Sequence, residues 1–124
     1  MGIPPESCEQ RGTCSVQCVA EADGRAYPCD FYAMDGYCLG NYNDNSIGEF
    51  FESETAKHFV EESLKHDKAC RECCWFHLCR NGCRRHRMRD EETGLYRNHF
   101  CAGYQMFFEK CAPRMKEIAD YLSK

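Results

Sequence analysis

The chain has 124 residues, 12 of them cysteine, and a formal net charge of −4 at pH 7. This length suits one domain, and the charge argues against a general nucleic-acid binder. Twelve cysteines exceed any packing need, so disulfides or metal sites must supplement a small core. The start, Met1 to Glu6, has neither the basic residues nor the apolar run of a signal peptide, and no window approaches a membrane span. We therefore expect a cytoplasmic protein whose closely spaced cysteines bind metal.

Residues 1–45 are predicted to form a loop followed by a β-hairpin. Residues 1–24 show little periodicity. Arg25 to Met34 is aromatic and strand-like, Asp35-Gly36 is a two-residue turn signal, and Tyr37 to Gly40 would return as the second strand.

Residues 46–69 are predicted to form a helical spacer. Ser46 and Glu49 have the spacing of a capping box, which opens a short helix. Ser53 can cap a second helix. Its apolar face would hold Ala56, Phe59, Val60 and Leu64.

Residues 70–111 are predicted to form a second ligand-bearing segment, and residues 112–124 a C-terminal helix. A polar loop is predicted from Arg87 to Asn98, and a helix from Phe100 to Lys110. Pro113 suits the first turn of the last helix. The apolar stripe of that helix would be Met115, Ile118 and Leu122.

The densest cysteine run is C-x2-C-x5-C-x3-C, from Cys70 to Cys83. A polynuclear iron site needs thiolates at short fixed intervals, because each iron takes one protein sulfur. Upstream, Cys14 and Cys29 flank Gly24, and Cys101 stands alone downstream. Eight cysteines have ligand-like spacings: Cys8, Cys14, Cys29, Cys70, Cys73, Cys79, Cys83 and Cys101. Two sets of four suit two iron–sulfur clusters or two structural zinc ions, and spacing alone leaves both open.

The whole spacing resembles the seven-cysteine SPASM motif of radical S-adenosylmethionine (SAM) enzymes. The resemblance runs from Cys8 to about Phe108. Three runs are similar to the anaerobic sulfatase-maturing enzymes in particular: Tyr27-Pro-Cys-Asp-Phe-Tyr32, Leu78-Cys-Arg-Asn-Gly-Cys83 and Phe100-Cys-Ala-Gly-Tyr104. It implies a small cysteine-rich α+β domain, with a β-hairpin and several short helices around two [4Fe-4S] clusters.

The resemblance also implies which cysteines bind each cluster. The first would take Cys8, Cys14, Cys29 and Cys83. The second would take Cys70, Cys73, Cys79 and Cys101. Spacing alone would group Cys70 to Cys83 on one cluster, so this crossover is information from the family. It has a precedent in ferredoxins, where the last cysteine of a run ligates the other cluster.

Asp30 directly follows one of these cysteines. In the resembling enzymes an aspartate at this position removes the proton from the substrate's thiol or hydroxyl side chain, which makes it a general base. Without the resemblance, Asp30 would be interpreted as a solvated strand residue.

The implied function is that of an auxiliary-cluster domain in an enzyme that oxidises a sulfatase active-site Cys or Ser to Cα-formylglycine under anaerobic conditions. The full-length enzyme would be a monomer that binds the sulfatase peptide, with no nucleic-acid or membrane partner. SAM and a third [4Fe-4S] cluster would belong to a barrel domain that this chain lacks. The alternatives are the SPASM domain of another peptide-maturing radical SAM enzyme, and a four-cysteine zinc-binding interaction module.

The cysteine loop that would bind this third cluster is C-x3-C-x2-C. Three C-x3-C pairs occur, but the place of the third cysteine is taken by Glu21, His77 or His86. We therefore expect the chain alone to be inactive in SAM cleavage.

Overall fold

The computed structural model describes residues 4–123 and combines short helices with two small antiparallel sheets. The α+β class expected from the sequence is confirmed. The chain divides into two units, which we call the central unit (Thr13–Lys65) and the terminal unit (residues 4–12 and 66–123). Within residues 4–123, no helix combines the length and apolar character that crossing a membrane requires.

The central unit contains a three-stranded antiparallel sheet. Strand β2 (Arg25–Tyr27) lies in the middle and pairs with β1 (Val19–Ala20) on one side and β3 (Gly40–Asn41) on the other. The β2–β3 pair agrees with the predicted hairpin, since Ala26 lies opposite Gly40. Strand β1 lies where only loop is predicted, so that expectation is wrong. A two-residue strand is too short to show period-two alternation in the sequence.

The connection between β2 and β3 differs from the predicted two-residue turn at Asp35-Gly36. The chain forms 3₁₀-helices at Asp30–Tyr32 and Asp35–Tyr37 instead. The ring of Tyr32 is buried edge-on against Phe59, with ring centroids 5.1 Å apart. Burying this aromatic ring favours the helical turns over a continued strand.

Two helices follow with the predicted caps. The backbone N–H of Ser46 donates to Glu49 Oε2 at 2.7 Å, and the N–H of Glu49 donates to Ser46 Oγ, which completes the capping box of α1 (Ile47–Glu52). The hydroxyl of Ser53 caps α2 (Glu54–Ser63) in the same way.

The apolar face of α2 is only partly as predicted. Ala56 and Phe59 are buried, whereas Leu64 is 52% exposed because it lies just beyond the last helical residue. The main apolar cluster of this unit consists of Ala26, Leu39, Phe50 and Ala56.

The terminal unit contains α3 (Lys68–Arg71), α4 (Phe76–Cys79), α5 (Cys101–Leu122) and the strands β4 (Arg87–Arg89) and β5 (Tyr96–Asn98). The strands form an antiparallel hairpin in the segment predicted as polar loop, so that expectation is wrong. In the turn between the strands, Asp90 Oδ1 accepts the backbone N–H groups of Glu92 and Thr93. This turn joins the two strands, but its polar residues are equally typical of a loop.

Helix α5 is continuous where two helices are predicted. Pro113 lies inside it and not in the first turn of a separate helix. The predicted break is wrong because a proline removes only one helical hydrogen bond, and the flanking residues are good helix formers. Met115 and Leu122, from the predicted apolar stripe, are 39% and 63% exposed.

Candidate metal centre

Four predicted ligands line one cavity in the terminal unit. They are Cys70, Cys73, Cys79 and Cys101. The cavity measures about 80 Å³. Its other walls combine aromatic side chains, such as Trp75 and Phe108, with polar ones, such as Asn81 and Asn98. The structure therefore brings together the four cysteines of the second predicted set. Spacing alone would have grouped Cys83, and not Cys101, with the other three. Among the described residues, Cys101 lines this cavity and Cys83 does not.

Helices place three of these cysteines, and the fourth, Cys73, lies in the connection between α3 and α4. Cys70 lies in α3, whose first turn is capped by Asp67: the N–H of Ala69 donates to Asp67 Oδ1 at 2.7 Å. Cys79 is the last residue of α4, and Cys101 is the first residue of α5.

The loop between Cys79 and Cys83 has an unusual backbone. Its three residues, Arg80, Asn81 and Gly82, all adopt left-handed conformations, with φ of 44°, 69° and 58°. A Cβ at Gly82 would lie 2.6 Å from the Asn98 side-chain nitrogen, so glycine is required there. Before this reversal Cys79 lines the cavity, and after it Cys83 is not among the lining residues.

The N-terminal segment that carries Cys8 is fastened to this loop. Cys8 begins a 3₁₀-helix at Cys8–Gln10, and the guanidinium of Arg80 donates to the carbonyl of Gln10 at 2.6 Å. Cys8 and Cys83 therefore both belong to the terminal unit.

The other two predicted ligands of the first set, Cys14 and Cys29, belong to the central unit. The N–H of Cys14 donates to Ser63 Oγ at 2.9 Å, and Ser63 is fully buried at the end of α2. Cys29 has an extended backbone and precedes the 3₁₀-helix that starts at Asp30. Each cysteine is thus held by an ordered element.

Asp30 is exposed and directly contacts its neighbours. Its Oδ1 accepts the Cys29 thiol at 3.2 Å and the backbone N–H of Phe31 at 3.1 Å. These contacts fix the carboxylate beside a predicted cluster ligand while leaving it open to solvent.

Three of the predicted ligands have thiols that hold their protons tightly. Burial raises the pKa of Cys29 to about 11, assisted by the nearby Asp30 and Cys14. Burial also raises the pKa of Cys70 to about 11, assisted by Cys101 and Asp67, and it raises the pKa of Cys79. Since a metal binds the thiolate, metal binding at these predicted ligands would release protons.

Among residues 4–123, no three His, Cys, Asp or Glu side chains are arranged to hold one ion. The four remaining cysteines, Cys18, Cys38, Cys74 and Cys111, do not line the cavity described above.

Sequence reasoning missed the polar residues that support the cavity. Asn81 and Asn98 are buried, with 2% and 4% of their surface exposed, and Arg87 donates to the carbonyls of Asn81 and Gly82. The Asn81-Gly82 pair carries a sequence signal, because Asn and Gly are the residues that tolerate left-handed backbone.

Comparison with known proteins identifies the family. Residues 8–74 match SPASM, an iron–sulfur cluster-binding domain. The cysteine-type anaerobic sulfatase-maturating enzyme of Clostridium novyi (strain NT) is 40% identical over 123 residues, which is 99% of this chain and 33% of the relative. The enzyme of the same name from Clostridium perfringens (strain 13 / Type A) is 43% identical over 114 residues, or 92% of this chain and 31% of the relative. This chain spans about a third of the length of these curated relatives.

Solved structures agree in fold. Native anSMEcpe with bound AdoMet and Cp18Cys peptide has a TM-score of 0.88 and 42% identity, covering 94% of this chain and 32% of the other. Native anSMEcpe with bound AdoMet has a TM-score of 0.86 and 43% identity, covering 93% and 31%. Cysteine spacing alone left both iron–sulfur clusters and zinc ions open, and the matched family favours iron–sulfur clusters. The chain belongs to the SPASM family of iron–sulfur cluster-binding domains.

Proposed function

We propose that this chain is the auxiliary-cluster domain of a radical SAM enzyme that oxidises a sulfatase Cys or Ser to Cα-formylglycine under anaerobic conditions. One observation carries the proposal: cysteines from α3, α4 and α5 line a single cavity in a chain that shares 40% identity, over nearly its whole length, with a maturase. Fold similarity to anSMEcpe supports the same conclusion.

The proposed ligand sets are those implied by the sequence. One [4Fe-4S] cluster would be held by Cys70, Cys73, Cys79 and Cys101. The other would be held by Cys8, Cys14, Cys29 and Cys83. When bound, such clusters supply one-electron redox capacity, and four protein ligands apiece suit electron transfer or a structural role.

Asp30 is proposed as the general base. Its Oδ1 accepts the Cys29 thiol proton in the structure. A metal-bound Cys29 has lost that proton, so this oxygen becomes available to a substrate proton. The Phe31 N–H continues to orient the carboxylate. The residue could then accept the proton of the peptide's thiol or hydroxyl as its β-carbon is oxidised.

The proposed partner is a sulfatase peptide, bound by the full-length enzyme. A peptide and AdoMet are named in the solved anSMEcpe structure, and this chain corresponds to about a third of that protein. We place SAM and a third [4Fe-4S] cluster in the remaining two thirds. The proposal includes a cytoplasmic monomer without a nucleic-acid or membrane partner, and the net charge of −4 supports the absence of a general nucleic-acid partner.

Iron counting on anaerobically reconstituted protein tests the proposal. We expect about eight iron atoms per chain for two four-iron clusters. Cys70→Ala and Cys83→Ala should each lose one cluster, with different residual electron paramagnetic resonance (EPR) spectra. Cys74→Ala, at an exposed cysteine outside both sets, is the control and should keep its iron. A colourless protein with stoichiometric zinc, or identical residual spectra for Cys73→Ala and Cys83→Ala, would overturn the proposal.

A further inference from the structure

Asn81 is the most heavily bonded side chain around the cavity. Its amide nitrogen donates to the Tyr96 carbonyl at 2.8 Å and faces His66 Nδ1 at 3.3 Å. Its amide oxygen accepts the backbone N–H of Asn98 at 2.8 Å. It is almost fully buried, yet it adopts the left-handed backbone. So constrained a residue in the loop between two cluster ligands calls for a role.

These bonds connect the segments that carry three predicted ligands. The Asn81 loop follows Cys79 directly, and the amide fastens that loop to β5. Asn98, the last residue of β5, accepts the Phe100 N–H at 2.8 Å, just before Cys101. The remaining contact is with Cys70, whose thiol lies 3.5 Å from Asn81 Oδ1.

The orientation of the Asn81 amide is locked. If oxygen and nitrogen exchanged places, the nitrogen would face the Asn98 N–H, and the oxygen would face the Tyr96 carbonyl. The first change would place two donors 2.8 Å apart in a buried site, and the second would place two acceptors at the same distance. The oxygen must therefore remain the amide atom that lies 3.5 Å from the Cys70 sulfur.

We infer that Asn81 is a positioning residue of the Cys70 cluster, which fixes the ligand segments and presents an acceptor oxygen to the Cys70 sulfur. This rests on the proposed ligand set. A thiolate has no proton to donate, so this sulfur receives no hydrogen bond from Asn81. Hydrogen bonds to ligand sulfurs and solvent exposure set cluster potentials, since donors stabilise the more negative reduced state. Asn81 thus holds the potential of this cluster low.

Asn81→Gly tests the inference, because glycine keeps the left-handed backbone and removes only the side chain. Water entering the vacated polar space can donate to the sulfur. In a Cys29→Ala background, where one cluster remains, the variant should keep its iron and titrate at a more positive midpoint potential. The matched control is Asn98→Ser, which removes the bond from the Asn98 side chain to the Asn81 carbonyl and alters the one from the Phe100 N–H. It leaves the Asn81 oxygen at Cys70, so the potential should stay at the parent value.

The outcomes separate the claims. An unshifted potential in Asn81→Gly, or an equal shift in Asn98→Ser, would overturn the inference. If Asn81→Gly does not load the cavity, iron counting with Cys29 intact decides: loss of this cluster alone supports positioning, and loss of both contradicts it. If Cys70→Ala kept all its iron, Cys70 would not be a cluster ligand. That result would contradict the proposed ligand set and the role of Asn81 that depends on it.

Discussion

The central and terminal units hold their predicted ligands by different means. In the central unit, apolar packing fixes the segment that carries Cys29, because Tyr32, close to Cys29 in the chain, packs on Phe59 of α2. In the terminal unit, a left-handed loop and a buried amide network hold Cys79 beside Cys70. Apolar packing depends on volume, whereas the amide network depends on individual atoms and backbone angles.

The largest expected effect is on catalysis and concerns Asp30 of the central unit, whose proposed role is in proton transfer and not in binding a cluster. In the full-length enzyme, Asp30→Asn should lower formylglycine formation by about a hundred- to ten-thousand-fold, because Asn keeps the shape but cannot accept the proton. Iron content should be unchanged, and SAM cleavage to 5′-deoxyadenosine should persist. Product formation on a sulfatase peptide, beside iron and 5′-deoxyadenosine yields, is the measurement.

Asp35→Asn is the matched control, since Asp35 also begins an exposed 3₁₀-helix, but its carboxylate pairs with Arg25. Its bond to a cysteine, accepted from the Cys38 N–H, is made by its backbone carbonyl, which the substitution keeps. The Asp35→Asn variant should form formylglycine at the parent rate. Formylglycine formation at the parent rate in Asp30→Asn would make Asp30 an ordinary surface residue, and loss of its iron would make it structural.

The next effect measures the packing of the central unit. Phe59 is 1% exposed and meets both Tyr32 and Tyr37 edge-on. Phe59→Ala should reduce the free energy of unfolding by about 3–5 kcal/mol, the usual cost of a large cavity. Denaturant unfolding followed by circular dichroism is the measurement. Phe107→Ala, at a site 52% exposed, should have a far smaller effect, and similar losses in the two variants would refute this account of the central unit.

The sequence predicted what depends on local chemistry. The capping box at Ser46 and the cap at Ser53 follow from side chains that bond backbone within three residues. The hairpin β4–β5 and the burial of Tyr32 depend on partners distant in the chain, and composition does not reveal them. The convergence of Cys101 on Cys70 came from the family resemblance, because no spacing rule links residues 31 positions apart.

Backbone angles test the terminal unit. Gly82→Ala places a Cβ 2.6 Å from the Asn98 nitrogen at a φ of 58°, and it should cost on the order of 1–3 kcal/mol. The Cys70 cluster should be lost with it. Gly103→Ala is the control within α5, where a Cβ meets nothing within 4 Å and should stabilise the helix by about 0.5–1 kcal/mol. Equal unfolding midpoints in urea for the two variants would contradict the requirement for a left-handed residue.

The smallest effect concerns the protons of two tightly held thiols, Cys29 in the central unit and Cys70 in the terminal unit. The pKa values of Cys29 and Cys70 are raised to about 11, against about 8.5 for an unfolded thiol. Between these values the unfolded iron-free chain loses protons that the folded chain keeps, so stability is complete below about pH 8.5 and falls as pH rises toward 11. Urea midpoints of the iron-free protein at several pH values measure this decline. Cys29→Ala and Cys70→Ala should each flatten it, and to a similar degree, because burial is the main cause in both units. A midpoint that rose with pH would show that these thiols ionise readily in the fold, and a decline removed by only one variant would place the effect in one unit.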